Sequence, residues 1–241
     1  MAKGPVVDAD AWKTHGGPRS PRLYQVLQIL AAPLIRGFFG VKRSFLAKVP
    51  KKGGAILVSN HCSNLDPVLV VGSIGRPIYH LGKHTLFTSH AKAWFFQHLG
   101  GQIPVDRKSG GNEAAIDAAV QCVEQGNALG IYPEGHRSPD GRVHRGKTGV
   151  ARIAVRTGAP VYPVAIKGTY QVWPKGQGFP KLFRPTEVIV GKPRTYPKEP
   201  ALVGDDRLMR KITDELMADI AGLLGQPYDP ETATLLRPNE A

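Results

Sequence analysis

Cysteine, acidic side chains, aromatic rings and long apolar runs are all scarce in this 241-residue chain. With only Cys62 and Cys122 and no CxxC spacing, a disulfide framework or a cysteine-rich zinc site is not expected. Against 32 lysines and arginines stand 19 acidic residues, a formal charge of +13 that predicts an anionic partner. Aromatics make up only 7% of residues and no base-reading motif is present, which argues against nucleic acid. No apolar run reaches the length of a membrane span, and the polar, Gly/Pro-rich first 22 residues lack the apolar core of a secretory signal. Any meeting with a membrane is therefore expected at its surface.

What is present reads as an α/β chain. Residues 1–20 form a flexible tail. The stretch 21–45 spaces Leu23, Val26, Leu27, Leu30, Leu34 and Phe38 on one helical stripe, with Pro33 expected to break or kink it. Arg22, Arg36, Lys42 and Arg43 punctuate this stripe. The stretch reads as amphipathic helices at an anionic membrane interface; a helix packed on the core with a basic edge is the alternative. From 46 to 225, short β-rich runs (55–59, 77–82, 129–133, 161–168, 186–191) alternate with helical patterns (113–126, 148–158, 206–225). That alternation predicts one domain with a largely parallel central sheet flanked by helices. Residues 171–185 read as an irregular loop and 226–241 as a loosely held tail.

Three segments carry chemistry. Asn60-His61-Cys62-Ser63-Asn64-Leu65-Asp66 follows the first β-rich run, where parallel sheets bind ligands. A histidine there can take a proton near neutral pH, and a carboxylate five residues on can fix its tautomer. A loop in which Ser63 or Asn64 caps the next helix explains the same spacing. Tyr132 to Ser138 forms a polar turn containing Glu134, Gly135 and Arg137, with Arg142, Arg145 and Lys147 after it, a cluster able to hold phosphate. The third is Gly101 to Arg107. Cys62 beside His61 could be imagined as a nucleophile, but adjacent side chains rarely point the same way. His80 and His84 have no third ligand, so no metal is expected. Ser109-Gly110-Gly111 reads as a plain loop.

Together the segments resemble the lysophosphatidate acyltransferase (PlsC-like glycerolipid acyltransferase) family. Its His-x4-Asp block matches His61–Asp66 and its Gly-x-Ile…Arg block matches Gly101–Arg107. Its Pro-Glu-Gly-Thr-Arg-Ser block matches Tyr132–Ser138 and its Val-Pro-Val-x-Ile block matches 161–166. Lys83 is a looser match to a family lysine. His136 replaces the usual Thr, Tyr162 interrupts the fourth block, and Arg145-Gly146-Lys147 departs from the commoner Phe-Lys-Lys.

The resemblance implies transfer of an acyl group from an acyl-coenzyme A or acyl carrier protein thioester to the sn-2 hydroxyl of 1-acyl-glycerol 3-phosphate, giving phosphatidate in phospholipid biosynthesis, without a cofactor. It implies His61 as base, Asp66 as its holder, Arg107, Arg137 and Lys83 on the acceptor phosphate, and Glu134 with Gly135 shaping the acceptor pocket. It also implies a peripheral or monotopic place on the cytoplasmic membrane face. Rival readings are a different acceptor (glycerol 3-phosphate or another lysophospholipid), a thioester hydrolase, and a non-catalytic basic protein binding lipid or nucleic acid.

Overall fold

A computed structural model describes residues 21–83, 87, 89–90, 100–105, 111–231 and 233. Along the chain run α1 (Pro21–Phe38), β1 (Val41–Phe45), β2 (Ala55–Ser59), α2 (Asp66–Ser73), β3 (Ile78–Lys83) and β4 (Gln102–Val105). Then come α3 (Gly111–Glu124), β5 (Ala128–Ile131), α4 (Gly149–Thr157), β6 (Val161–Lys167), the single turn α5 (Thr169–Val172), β7 (Thr186–Val190), a 3-10 turn (Pro200–Gly204) and α6 (Asp206–Leu224). The strands form one seven-stranded sheet in the order β1-β7-β6-β2-β5-β3-β4. Every pairing is parallel except β6 with β7.

The central strands are parallel because helices cover both faces, which suits their near-continuous apolar runs. All five residues of β2 are buried. One face packs Val150 and Ile153 of α4 and Leu216 and Ile220 of α6 against Ile56 and Val58. The other packs Leu69 and Val70 of α2 against Leu57, Ile78 and Val164. Helix α6 is bounded as its sequence suggests. Asp205 accepts a hydrogen bond from the Leu208 N–H at its start, and Gly225 ends it at a φ of 69°, which a side chain would resist.

Three expectations are corrected. Residues 21–45 are not all helical: β1 occupies Val41–Phe45 as an edge strand, so the sheet begins before residue 46. Helix α1 runs through Pro33 unbroken. Both Pro33 and Ile29, whose carbonyl loses its helical partner, are exposed, so the freed carbonyl lies on the helix's outward face. The segment after residue 225 is also tied down where described. Gln226 accepts from the Val143 N–H and donates to the Gly141 carbonyl, and the Tyr228 hydroxyl donates to Asp214.

The seating of α1 is inverted relative to a simple amphipathic helix. Its inner face is Tyr24, Gln28 and Ile35, two of them polar. The Tyr24 hydroxyl donates to the Ile78 carbonyl at 3.0 Å. The Gln28 amide nitrogen sits 2.6–2.9 Å from the carbonyls of Val71, Ile74 and Arg76, where α2 ends. The apolar stripe therefore faces outward, with Leu30 64% and Leu34 63% exposed.

Candidate active site

The site lies between the C-terminal ends of β2 and β5. The chain leaves these neighbours in opposite directions, β2 through α2 to β3 and β5 through α4 to β6, onto opposite faces of the sheet. Such a divergence opens a crevice. Asn60 anchors the loop leaving β2. Its amide donates to the Ile166 carbonyl at 2.9 Å and its oxygen accepts from the Ile166 N–H at 2.8 Å, continuing the β2–β6 ladder with a side chain. The next residue, His61, is thereby aimed over the crevice.

Asp66, the first residue of α2, is fully buried. Its Oδ2 accepts from the Cys62 N–H and the Ser63 N–H, each at 2.7 Å, and from His61 Nδ1–H at 2.8 Å. Three donors on one carboxylate oxygen put the imidazole proton on Nδ1 and leave Nε2 as an acceptor. The capping alternative resolves differently from its expected form. Leu65 precedes the helix without a side-chain cap, Ser63 Oγ accepts from the Leu65 N–H, and the aspartate itself gathers the loop.

The His61 ring is 20% exposed at the side chain and lines a cavity of about 410 Å³. It stacks on Tyr132 with centroids 4.3 Å apart, and Tyr132 stacks in turn on His80 at 5.8 Å. His80 is buried at the cavity wall, where desolvation, with His61 nearby, pulls its pKa down to about 4. Gly130 faces it, and a Cβ there would collide with His80 Nε2. Ala115, Ile116, Ile131, Val150 and Ile153 give the cavity an apolar wall, while Lys147 and Arg152 supply positive charge. Arg152 is already paired with Glu113. Lys147 has no ion pair among the described residues, and its ammonium lies beside Gly135.

The residues expected to bind substrate divide. Gly135 lines the cavity. Glu134 does not: its side chain is fully buried and Oε1 accepts from the His61 N–H at 3.2 Å, so it braces the His61 loop from beneath. Burial pushes its carboxyl well above the usual range, opposed by the His61 and His144 N–H groups. Arg137 is half-buried in the same turn and is not among the cavity-lining residues. Arg107 lies outside the described residues. Of Lys83 only the backbone, paired with Val105, is described. Of the cations that follow the Glu134 turn in the sequence, Arg142, Arg145 and Lys147, it is Lys147 that reaches the cavity. Cys62 is buried and burial pushes its thiol far up, away from nucleophilic chemistry. Among the described residues no His, Cys, Asp or Glu side chains cluster as a metal site, and His84 lies outside them.

Comparison with known proteins gives a consistent picture. The acyltransferase family model matches residues 41–167, more than half of the chain. A chloroplast 1-acyl-sn-glycerol-3-phosphate acyltransferase of Arabidopsis thaliana is 27% identical over 186 residues, covering 76% of this chain and 51% of that protein. The 1-acyl-sn-glycerol-3-phosphate acyltransferase of Borreliella burgdorferi is 30% identical over 122 residues, covering 50% of this chain and 48% of that one. The chain thus spans about half the length of the curated relatives it matches. The crystal structure of the PlsC acyltransferase of Thermotoga maritima superposes with a TM-score of 0.62 at 25% identity, covering 86% of this chain and 80% of that one.

Proposed function

The chain belongs to the acyltransferase family, and from that premise we propose that it moves a fatty acyl group from a thioester to the sn-2 hydroxyl of 1-acyl-glycerol 3-phosphate. The observation that carries this reading is the hydrogen bond from His61 Nδ1 to the buried Asp66 at the mouth of the 410 Å³ cavity. His61 Nε2 takes the proton of the acceptor hydroxyl as its oxygen attacks the thioester carbonyl. The C–S bond then breaks, and the thiolate, whose parent thiol has a pKa near 8.5, leaves and takes up the proton from His61. Asp66 holds the imidazole and stabilises its charged form between these steps. The acceptor hydroxyl fills the place that a serine holds in a hydrolase triad, which fits the burial of Cys62 beside His61. Lys147, which lines the cavity and has no ion pair among the described residues, is the cation best placed to receive the acceptor phosphate. The apolar wall of Ile116, Ile131 and Ile153 suits an acyl chain.

Both substrates are lipids or lipid thioesters, and the outward apolar stripe of α1 suits a membrane surface with anionic headgroups. Among the described residues no helix is long and apolar enough to cross a membrane. The test is a labelled acyl-coenzyme A incubated with lysophosphatidate and, separately, with glycerol 3-phosphate, with products resolved by thin-layer chromatography. Labelled phosphatidate is the expected product. Label only in lysophosphatidate would reassign the acceptor, and labelled free fatty acid independent of either acceptor would make the chain a hydrolase.

A further inference from the structure

The segment between α5 and β7 holds a feature that the catalytic site does not use. Three large apolar side chains stand out from it: Phe179 is 86% exposed, Phe183 74% and Leu182 46%. The segment is nevertheless braced. Trp173 Nε1 donates to the Gln177 carbonyl at 2.8 Å, Gln177 Nε2 donates to the Phe179 carbonyl at 2.6 Å, and the Lys181 N–H donates to the Val172 carbonyl at 2.9 Å. Its C-terminal end is held in an unfavourable conformation. Phe183 has a φ of 57°, the only non-glycine positive φ among the described residues, and a bulky side chain resists that region. The residue is kept there by its N–H, which donates to the Phe38 carbonyl at 2.9 Å, and by its ring, which packs on Phe38 with centroids 6.2 Å apart. Phe38 ends the outward stripe of α1. Strain thus joins a loop of exposed rings to a helix of exposed aliphatics.

We propose that the Trp173–Arg184 loop is a second membrane anchor, which inserts Phe179, Leu182 and Phe183 into an anionic lipid surface alongside α1. The proposal rests on the functional reading above, since it takes a lipid enzyme's surface as the occupant. The loop's own charge selects that occupant. Lys175, Lys181 and Arg184 flank the rings, all are exposed, and none pairs with an acidic side chain among the described residues. Rings bounded by unpaired cations match the boundary between acyl chains and anionic headgroups. The loop meets α1 at Phe38, so its rings extend the outward stripe of that helix into one broader apolar surface.

The experiment is co-sedimentation of the full chain with vesicles of phosphatidylcholine, alone or with phosphatidylglycerol. Phe179→Ser/Phe183→Ser should weaken partitioning into both kinds of vesicle by a factor on the order of ten to a hundred, with only a small change in thermal stability because the rings are mostly exposed. Lys175→Gln/Lys181→Gln should weaken only the binding to phosphatidylglycerol vesicles, and added salt should remove the difference from wild type. Phe183→Gly relieves the backbone strain and should weaken vesicle binding without lowering the melting temperature. Wild-type binding by the double serine variant would overturn the proposal. So would a lowered melting temperature with unchanged binding in Phe183→Gly, which would make the loop purely structural. A shift of the wild-type chain from self-association to monomer on ring removal, without lipid, would also overturn it in favour of a second copy. The assay needs no turnover, so a chain that binds vesicles through these rings but transfers no acyl group would support the anchor while removing the acyltransferase reading. Acyl transfer with ring-independent binding would do the reverse.

Discussion

Replacing Asp66 with Asn changes charge at nearly constant size, at the point where the loop and the chemistry meet. Asp66 Oδ2 accepts from three N–H donors at 2.7–2.8 Å. Hydrogen bonds to a charged group are worth about 1.5–3 kcal/mol, against about 0.5–1.5 for neutral pairs. The Cys62 and Ser63 donors should therefore each lose about 1 kcal/mol, and the negative charge at the start of α2 contributes about 0.3–1 kcal/mol more. A total on the order of 2–3 kcal/mol lowers the melting temperature of a chain this size by about 5–10 °C. The catalytic loss should be larger. An amide oxygen in the place of Oδ2 still accepts from His61 Nδ1–H but carries no charge to stabilise the imidazolium, and the same change in a Ser-His-Asp triad lowers kcat by about 10⁴. Single-turnover acyl transfer at a temperature well below both melting points separates the two effects. If Asp66→Asn kept kcat within about tenfold of wild type, against the loss expected from the triad precedent, something other than the Asp66 charge would stabilise the imidazolium, and the reasoning would fail.

Four other outcomes follow from the geometry. Glu134→Gln keeps the acceptor for the His61 N–H and imitates the neutral form that burial favours, so it should fold and keep its acceptor KM; a large rise in KM would return Glu134 to the acceptor pocket. Lys147→Ala should raise the acceptor KM by about tenfold with little change in kcat, and an unchanged KM would place the phosphate elsewhere. Cys62→Ala should stay active, and thiol reagents should not inactivate the folded wild type, because the thiol is buried and held protonated. His80 binds its proton only below about pH 4 when folded, but near 6.5 when unfolded. Its stabilising contribution is therefore complete above pH 6.5 and lost as pH falls towards 4, about 3 kcal/mol in all. Urea denaturation at about pH 4.5 and about pH 7.5 should give a smaller difference in His80→Gln than in wild type.

The buried strands were legible because their apolar runs and flanking glycines leave few alternatives, and 55–59 is occupied residue for residue. The two strands that escaped sequence reading are the sheet's edges. Strand β1, Val-Lys-Arg-Ser-Phe, is mostly exposed and has little apolar signal; β4 is only four residues long and contains Pro104, which weakens its reading as a strand. The spacing of His61 and Asp66 was readable, but their convergence depends on Asn60 clasping β6 at Ile166, 106 residues away. The inward bracing of Glu134 and the reach of Lys147 into the cavity depend equally on how the β5–α4 loop folds back. Periodicity also located the stripe of α1 without saying which way it faces. That is decided by Tyr24 and Gln28, whose polar tips serve the carbonyls at the end of α2 and the start of β3.

The central claim is that His61 delivers an acceptor hydroxyl to a thioester. The most direct measurement follows thiol release from palmitoyl-coenzyme A with and without lysophosphatidate, for wild type and His61→Ala, with phosphatidate measured in the same samples. Thiol release should require the acceptor, equal the phosphatidate formed, and disappear in His61→Ala while the fold persists. Release by wild type without acceptor, or phosphatidate formation that survives in His61→Ala, would contradict it.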